Sequence, residues 1–99
     1  MAEIRWSPSA VQDLEEICSF IAKDSVEYAS FTAKGILHTI ETASVFPFSG
    51  KVVPELENEF VREKIYSSYR VIYRCKDEML EVVRIIHHAR DLNTMGEYE

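Results

Sequence analysis

The spacing of apolar residues changes period once along this chain, at "FPFSGKVVPELENE", Phe46 to Glu59. Before that seam, Val11, Leu14, Ile17, Cys18 and Ile21 recur three or four residues apart, which lines them along one side of a helix. Ser7 followed by Pro8 gives the start: a hydroxyl to cap free amides, then a proline where a missing N–H costs little. This helix is expected to end near Asp24, with Asp13, Glu15, Glu16 and Lys23 turned to water. Ser25 then caps a second helix to about Val45, with a buried stripe of Ala29, Ala33, Ile36, Leu37, Ile40 and Ala43. Gly35 weakens the middle of that helix, so it marks a close backbone approach, most simply to the first helix.

Beyond the seam the period shortens to two. Phe60 to Tyr66, Tyr69 to Lys76 and Met79 to His88 are rich in Val, Ile and Tyr and read as strands, and a short strand over Ala2 to Trp6 precedes the first helix. The order β-α-α-β-β-β predicts an α+β fold. Its antiparallel sheet is a three-strand meander packed on an N-terminal helical hairpin, with the first strand at an edge.

Composition narrows this without changing it. Ninety-nine residues at 46% apolar content support one core and not two. The expectation is a single domain over residues 1–92, followed by a mobile tail, "NTMGEYE", over 93–99. Nothing approaches the roughly 18 to 20 apolar residues of a membrane span, and "MAEIRWSPSA" lacks a signal peptide's apolar centre, so the expected location is cytoplasmic, away from membranes. Cys18 and Cys75 have no Cys or His at zinc-ligand spacing, which points to two buried reduced thiols, with no metal and no cofactor.

Charge alters the picture. The formal net charge of -6 argues against a protein that binds long nucleic acid by counterion release. Met1 to Gly50 carries three Lys or Arg against seven Asp or Glu, whereas Lys51 to Glu99 carries eight against ten. The second half gathers Arg62, Lys64, Arg70 and Arg74 into "REKIYSSYRVIYR".

Alternation suggests how these cations are placed. If Val61 and Ile65 share the core face with Tyr69, Val71, Tyr73 and Cys75, the connecting loop holds an odd number of residues, for example Tyr66, Ser67 and Ser68. Ile65 then faces Tyr69, Lys64 faces Arg70, Arg62 faces Ile72, and Glu63 turns awkwardly toward the core. Like charges in opposition destabilise a sheet, so stability alone would not select Lys64 against Arg70. The plainer account is a solvated surface whose long stems cover apolar area, with Glu59, Glu63 or Glu81 as counter-charges.

A two-residue turn at Asp77 and Glu78 sets Arg74 opposite Glu81 and Arg70 opposite Ile85. That leaves His87 at the end of the cationic face and His88 on the other, although Arg84 on the core side leaves the two histidines exchangeable. Several cations with an imidazole suit a phosphodiester: Arg and Lys hold phosphate oxygens and His moves a proton near neutral pH.

Four stretches carry a family resemblance. "W-S-P-x-A-x-x-D-L" at Trp6 to Leu14, "GKVVPE" at Gly50 to Glu55, "VREKIYSSYRVIY" at Val61 to Tyr73 and "IHHARDL" at Ile86 to Leu92 together resemble the RelE/ParE superfamily of bacterial type II toxins. The resemblance implies a toxin of the plasmid-stabilization type, neutralised by a cognate antitoxin. Two targets are open under it. In the ribosome-dependent branch, which cleaves messenger RNA, Arg62, Lys64 and Arg70 match the basic strand residues and Arg90 a later arginine, with His87 or His88 left to move the proton because no tyrosine follows Arg90 closely. The gyrase-poisoning branch keeps the scaffold without that catalytic set, and its C-terminal "H-x-x-x-D" is similar to His87 through Asp91. The missing tyrosine and the acidity favour DNA gyrase over the ribosome; a non-toxic relic that keeps only antitoxin binding is the third expectation.

Overall fold

The computed structural model of the chain describes residues 1–92; the expected tail over 93–99 lies outside the described residues. Ser7 caps α1 (Pro8–Ala22): its hydroxyl accepts from the Ala10 amide at 3.0 Å and donates to the Val83 carbonyl at 2.8 Å, tying the helix start to the sheet. Ser25 caps α2 (Val26–Val45) in the same way through the Tyr28 amide at 3.0 Å. A hydroxyl cap of this kind stabilises by about 1 kcal/mol.

Five strands form one sheet in the order β1-β5-β4-β3-β2, with β1 Glu3–Trp6, β2 Lys51–Val52, β3 Val61–Tyr66, β4 Tyr69–Lys76 and β5 Met79–His87. The meander β3-β4-β5 is antiparallel, as expected, and β1 occupies an edge. The seam, however, contributes a 3₁₀ turn at Pro47–Ser49 and the two-residue strand β2, and β1 pairs with β5 in parallel, which makes the sheet mixed. Among the described residues no helix is long and apolar enough to cross a membrane.

Both faces of the sheet are covered. Under the helices, Ala10, Ile36, Ile40 and Ala43 pack on Val71, Tyr73, Leu80, Val82 and Ile85. On the other face Val53, Val61, Ile72, Val83, Ile86 and Leu92 form a second, smaller core beneath the seam and the last described residues. Arg70 to Tyr73 are consequently four buried residues in a row, a pattern of a strand buried on both sides.

This double burial overturns the expected register. The β3-β4 turn holds two residues, Ser67 and Ser68; Tyr66 pairs with Tyr69, Ile65 with Arg70, Lys64 with Val71 and Arg62 with Tyr73. Ser67 and Asp77, the first residues of the two hairpin turns, take positive φ (54° and 56°), as primed two-residue turns do. Arg62, Lys64 and Tyr66 therefore lie on the helix side, whereas Val61, Glu63 and Ile65 lie on the other face with Arg70 and Ile72. Lys64 does not oppose Arg70. The second turn is the expected one, and Arg74 does pair with Glu81, but a bulge opposite Ile72 and Tyr73 shifts the rest so that Arg70 meets Ile86 and Tyr69 meets His87.

Four helix expectations also change. The buried arc of α1 centres on Ala10, which leaves Val11 exposed, and Leu37 of α2 is exposed for the same angular reason. Asp13 is not solvated: its carboxylate accepts from Arg84 Nε at 2.7 Å, Arg84 Nη2 at 3.0 Å and the Ile85 amide at 2.9 Å, bracing α1 against β5. Gly35 makes room for the ring of Tyr66 and not for α1; a Cβ there would overlap that ring.

Candidate functional site

Arg70 is the centre of the arrangement. Strand alternation sends it to the face away from the helices, where Glu63 on β3 is its diagonal neighbour and the seam after β2 brings Glu55 over it. Arg70 Nε donates to Glu63 Oε1 at 2.7 Å, Nη2 to Glu55 Oε1 at 2.7 Å, and Nη1 both to Glu55 Oε2 at 2.8 Å and to the Arg90 carbonyl at 2.9 Å. The Leu92 amide donates to Glu55 Oε2 at 3.0 Å, so one bidentate pair fastens the end of the described chain. The side chains of Arg70, Glu55 and Glu63 are only 7%, 14% and 3% exposed.

The charges answer to this geometry. Hydrogen bonds from Arg70, helped by the Leu92 amide, hold the Glu55 carboxyl down at about 2 against the opposing effect of burial. Glu55 in turn, with Glu63, raises the Arg70 pKa although burial alone would lower it. A guanidinium bound by two carboxylates and a carbonyl has its charge neutralised and its fork occupied; an incoming phosphate would have to displace an internal anion.

The other cations are dispersed. Arg62 caps carbonyls of the seam, donating from Nε to Glu59 O at 2.7 Å and from Nη1 to Gly50 O at 3.0 Å, with its guanidinium 4.8 Å from the Phe48 ring centre. Lys64 sits half-buried on the helix side, in a cleft of about 380 Å³ with His38, Thr39 and Thr42 of α2. His87 does not end the Arg70 face: its ring meets Tyr69 edge-on at 6.1 Å and stacks on His88 at 4.8 Å. His88 and Arg90 instead line an open cleft of about 460 Å³ beside Arg70. Of the five residues expected to act together, then, Arg70 and Arg90 share a cleft, His88 takes the place offered to His87, and Arg62 and Lys64 are on the opposite side of the sheet.

Sequence reasoning did not find Glu55 as a partner of Arg70, although "GKVVPE" contained it; Glu63 was among the counter-charges expected for the hairpin cations and does bind Arg70, although the expected register turned it awkwardly toward the core. Elsewhere, burial raises the thiols of Cys18 and Cys75 and pushes the Tyr73 phenol up to about 12, its hydroxyl donating to Pro47 O at 2.7 Å. Among the described residues no group of His, Cys, Asp or Glu is placed to hold a metal ion.

A small α+β protein with two helices on one face of a mixed sheet and a basic hairpin is the architecture of a toxin of the RelE/ParE superfamily. The profile described as "ParE toxin of type II toxin-antitoxin system, parDE" matches residues 4–92, and the chain belongs to that family. Among solved structures, a chain of the chromosomal ParDE TA system from P. aeruginosa aligns with a TM-score of 0.71 at 20% identity, covering 88% of this chain and 96% of that one. The YoeB/ParE toxin from Agrobacterium tumefaciens aligns with a TM-score of 0.62 at 20% identity, over 87% and 98%. A chain of the RelBE2 toxin-antitoxin complex from Mycobacterium tuberculosis gives 0.57 at 21%, over 87% and 96%. At these identities the structures share the fold. No curated protein matches the sequence.

Proposed function

We propose that this type II toxin arrests growth through DNA gyrase without cutting RNA, and that a cognate antitoxin neutralises it. The observation that carries this reading is the capture of Arg70 by Glu55 and Glu63. Cleavage of a phosphodiester needs cations free to hold the phosphate and to stabilise charge as it develops. Here Arg70 is neutralised from within, Arg62 holds backbone carbonyls, and Lys64 is on the far side of the sheet. Purified protein is expected to inhibit supercoiling and to promote gyrase-dependent DNA cleavage. No effect on gyrase at any concentration, in a protein that still arrests cells, would overturn the reading.

The ribonuclease alternative draws on one feature, the placing of His88 and Arg90 beside Arg70 in an open cleft. Under it, translating extracts lose full-length transcript on addition of the protein, and Arg70→Ala abolishes the loss. Under the gyrase reading transcripts stay intact with either protein. Expression without antitoxin separates both from a non-toxic relic, which leaves growth normal.

A further inference from the structure

On the face away from the helices, the second core reaches Ile72 on β4 and Val83 on β5. Two residues further along each strand, Arg74 and Glu81 oppose one another, and Arg5 of β1 lies opposite Glu81 from the other side. Directly paired residues share a face, so the two arginines stand about 10 Å apart, two strand spacings, with one carboxylate between them. Glu81 Oε1 accepts from Arg74 Nη2 at 2.6 Å. Arg5 turns instead along its own strand to Glu3, at 3.3 Å, with side chains 62% and 66% exposed, so water competes for that pair. Lys76 follows on the same face, opposite Met79, and among the described residues it makes no ion pair. Arg5, Arg74, Lys76 and Glu81, with Trp6 and Met79, line a cleft of about 420 Å³, which is in the size range of small-molecule sites. The acids Glu3, Asp77 and Glu78 do not line it, which leaves three cations against one carboxylate in a chain of net charge -6. It shares no residue with the cleft beside Arg70, which begins four residues back along β4, about 13 Å away.

We propose that this cleft binds a nucleotide. Three kinds of group meet in it, and each suits one part of that ligand. Arg5, Arg74 and Lys76 hold phosphate oxygens; Glu81 fixes the Arg74 guanidinium for the purpose, and Lys76 brings a charge that no carboxylate has neutralised. The second oxygen of Glu81, which Arg74 does not use, accepts from a ribose hydroxyl. Trp6 and Met79 offer the base an aromatic and a polarizable surface. An inorganic anion would leave those two unused and would be repelled by Glu81. A nucleic-acid chain would run out of the cleft onto an acidic protein, without the succession of cations that its phosphates need. The proposal does not depend on gyrase being the target, and its test reads binding alone.

Trp6 is the only tryptophan, so its fluorescence reports occupancy directly. ADP and GDP are titrated into the full chain, with calorimetry in parallel. At least one is expected to bind at one site per chain and to change the Trp6 emission saturably. Arg5→Ala and Lys76→Ala, each shown by melting to be folded, are expected to weaken it about tenfold. Lys34→Ala, on α2 across the sheet, is expected to leave binding unchanged. Glu81→Ala removes both the ribose acceptor and a charge that repels pyrophosphate, so the preference for nucleotide over pyrophosphate is expected to fall about tenfold. The proposal is overturned if neither nucleotide binds, if Arg5→Ala and Lys76→Ala leave binding intact, or if pyrophosphate binds the wild-type chain as tightly as the nucleotide. It is equally overturned if a single-stranded oligonucleotide binds with the Arg5 and Lys76 dependence while the mononucleotides do not.

Discussion

The two faces of the sheet are covered by different physical means. Helices cover one face; their own hydrogen bonds satisfy the backbone, so Ile36, Ile40 and Ala43 need bring only apolar surface to Val71, Tyr73 and Val82. Irregular chain covers the other, around Val53, Leu56 and Leu92, and irregular chain brings backbone groups that need partners. Arg70 and Glu55 supply them, taking the Arg90 carbonyl and the Leu92 amide. The buried charges on this face thus hold down the free backbone groups of a loop cover, whereas the ion pair on the helix side, Arg84 with Asp13, braces one regular element, α1, against β5. A cationic residue in a basic hairpin can be structural adhesive and not a ligand site.

The strongest way to break this contrast is to remove its centre. Arg70→Met leaves Glu55 buried without a counter-charge and Glu63 with only the exposed Lys51 ammonium, 3.5 Å away, and is expected to cost about 3–5 kcal/mol in urea unfolding. Hydrogen exchange should rise first at Val53, Leu56 and Leu92, with the helices still protected. Adding Glu55→Gln and Glu63→Gln to Arg70→Met is expected to recover much of the loss, because no buried charge remains unpaired. On the helix face Ile36→Ala should cost about 3 kcal/mol by loss of contact and the cavity left behind, with protection falling evenly across α2 and β4. Equal and even loss from both single variants would remove the distinction between the faces.

The helices, their caps and the strand order could be read from the sequence because each depends on neighbours a few residues away. Ser7 and Ser25 cap the helices as expected, and both helix ends fall within about two residues of their expected places. The register of β3 could not be read so, because alternation identifies a core face only where one face meets water. With both faces buried, Val61 and Tyr73 each belong to a core, but to different ones. Arg70 stood out as the residue to watch, yet its partners lie 7 and 15 positions away, at distances that local pattern does not encode. The bulge in β5 that exchanges His87 for His88 left one trace, the apparent misplacement of Arg84, which the ion pair with Asp13 explains.

Acid gives a finer test of the ionic cover. The Glu55 carboxyl is held at about 2 in the folded chain against an ordinary value of 4.5. A depressed folded pKa stabilises above the unfolded value, and that contribution disappears as pH falls through the folded one. The advantage of the wild type over Glu55→Gln is therefore expected to be full above about pH 4.5 and to close progressively toward pH 2, a change of about 3 kcal/mol. The cost of Ile36→Ala should not vary over the same window. A Glu55→Gln difference that stays constant from neutral pH to pH 2 would mean that Glu55 acts by packing and not by charge.

The smallest expected effect isolates burial from bond geometry. Arg74 Nη2 lies 2.6 Å from Glu81 Oε1, as short as the 2.7 Å between Arg70 and Glu63, but its side chains are 38% and 27% exposed against 7% and 3%. Water competes for the outer pair, salt screens it, and two long side chains lose freedom to form it. Neither Arg74→Ala nor Glu81→Ala leaves a charge stranded away from solvent. Each is expected to change stability by less than about 1 kcal/mol, with a coupling in the double-mutant cycle of at most about 0.5 kcal/mol that fades with added salt. If that coupling instead approached the cost of Arg70→Met and ignored salt, bond length and not burial would govern both pairs. The loop cover would then have no special claim on its buried charges.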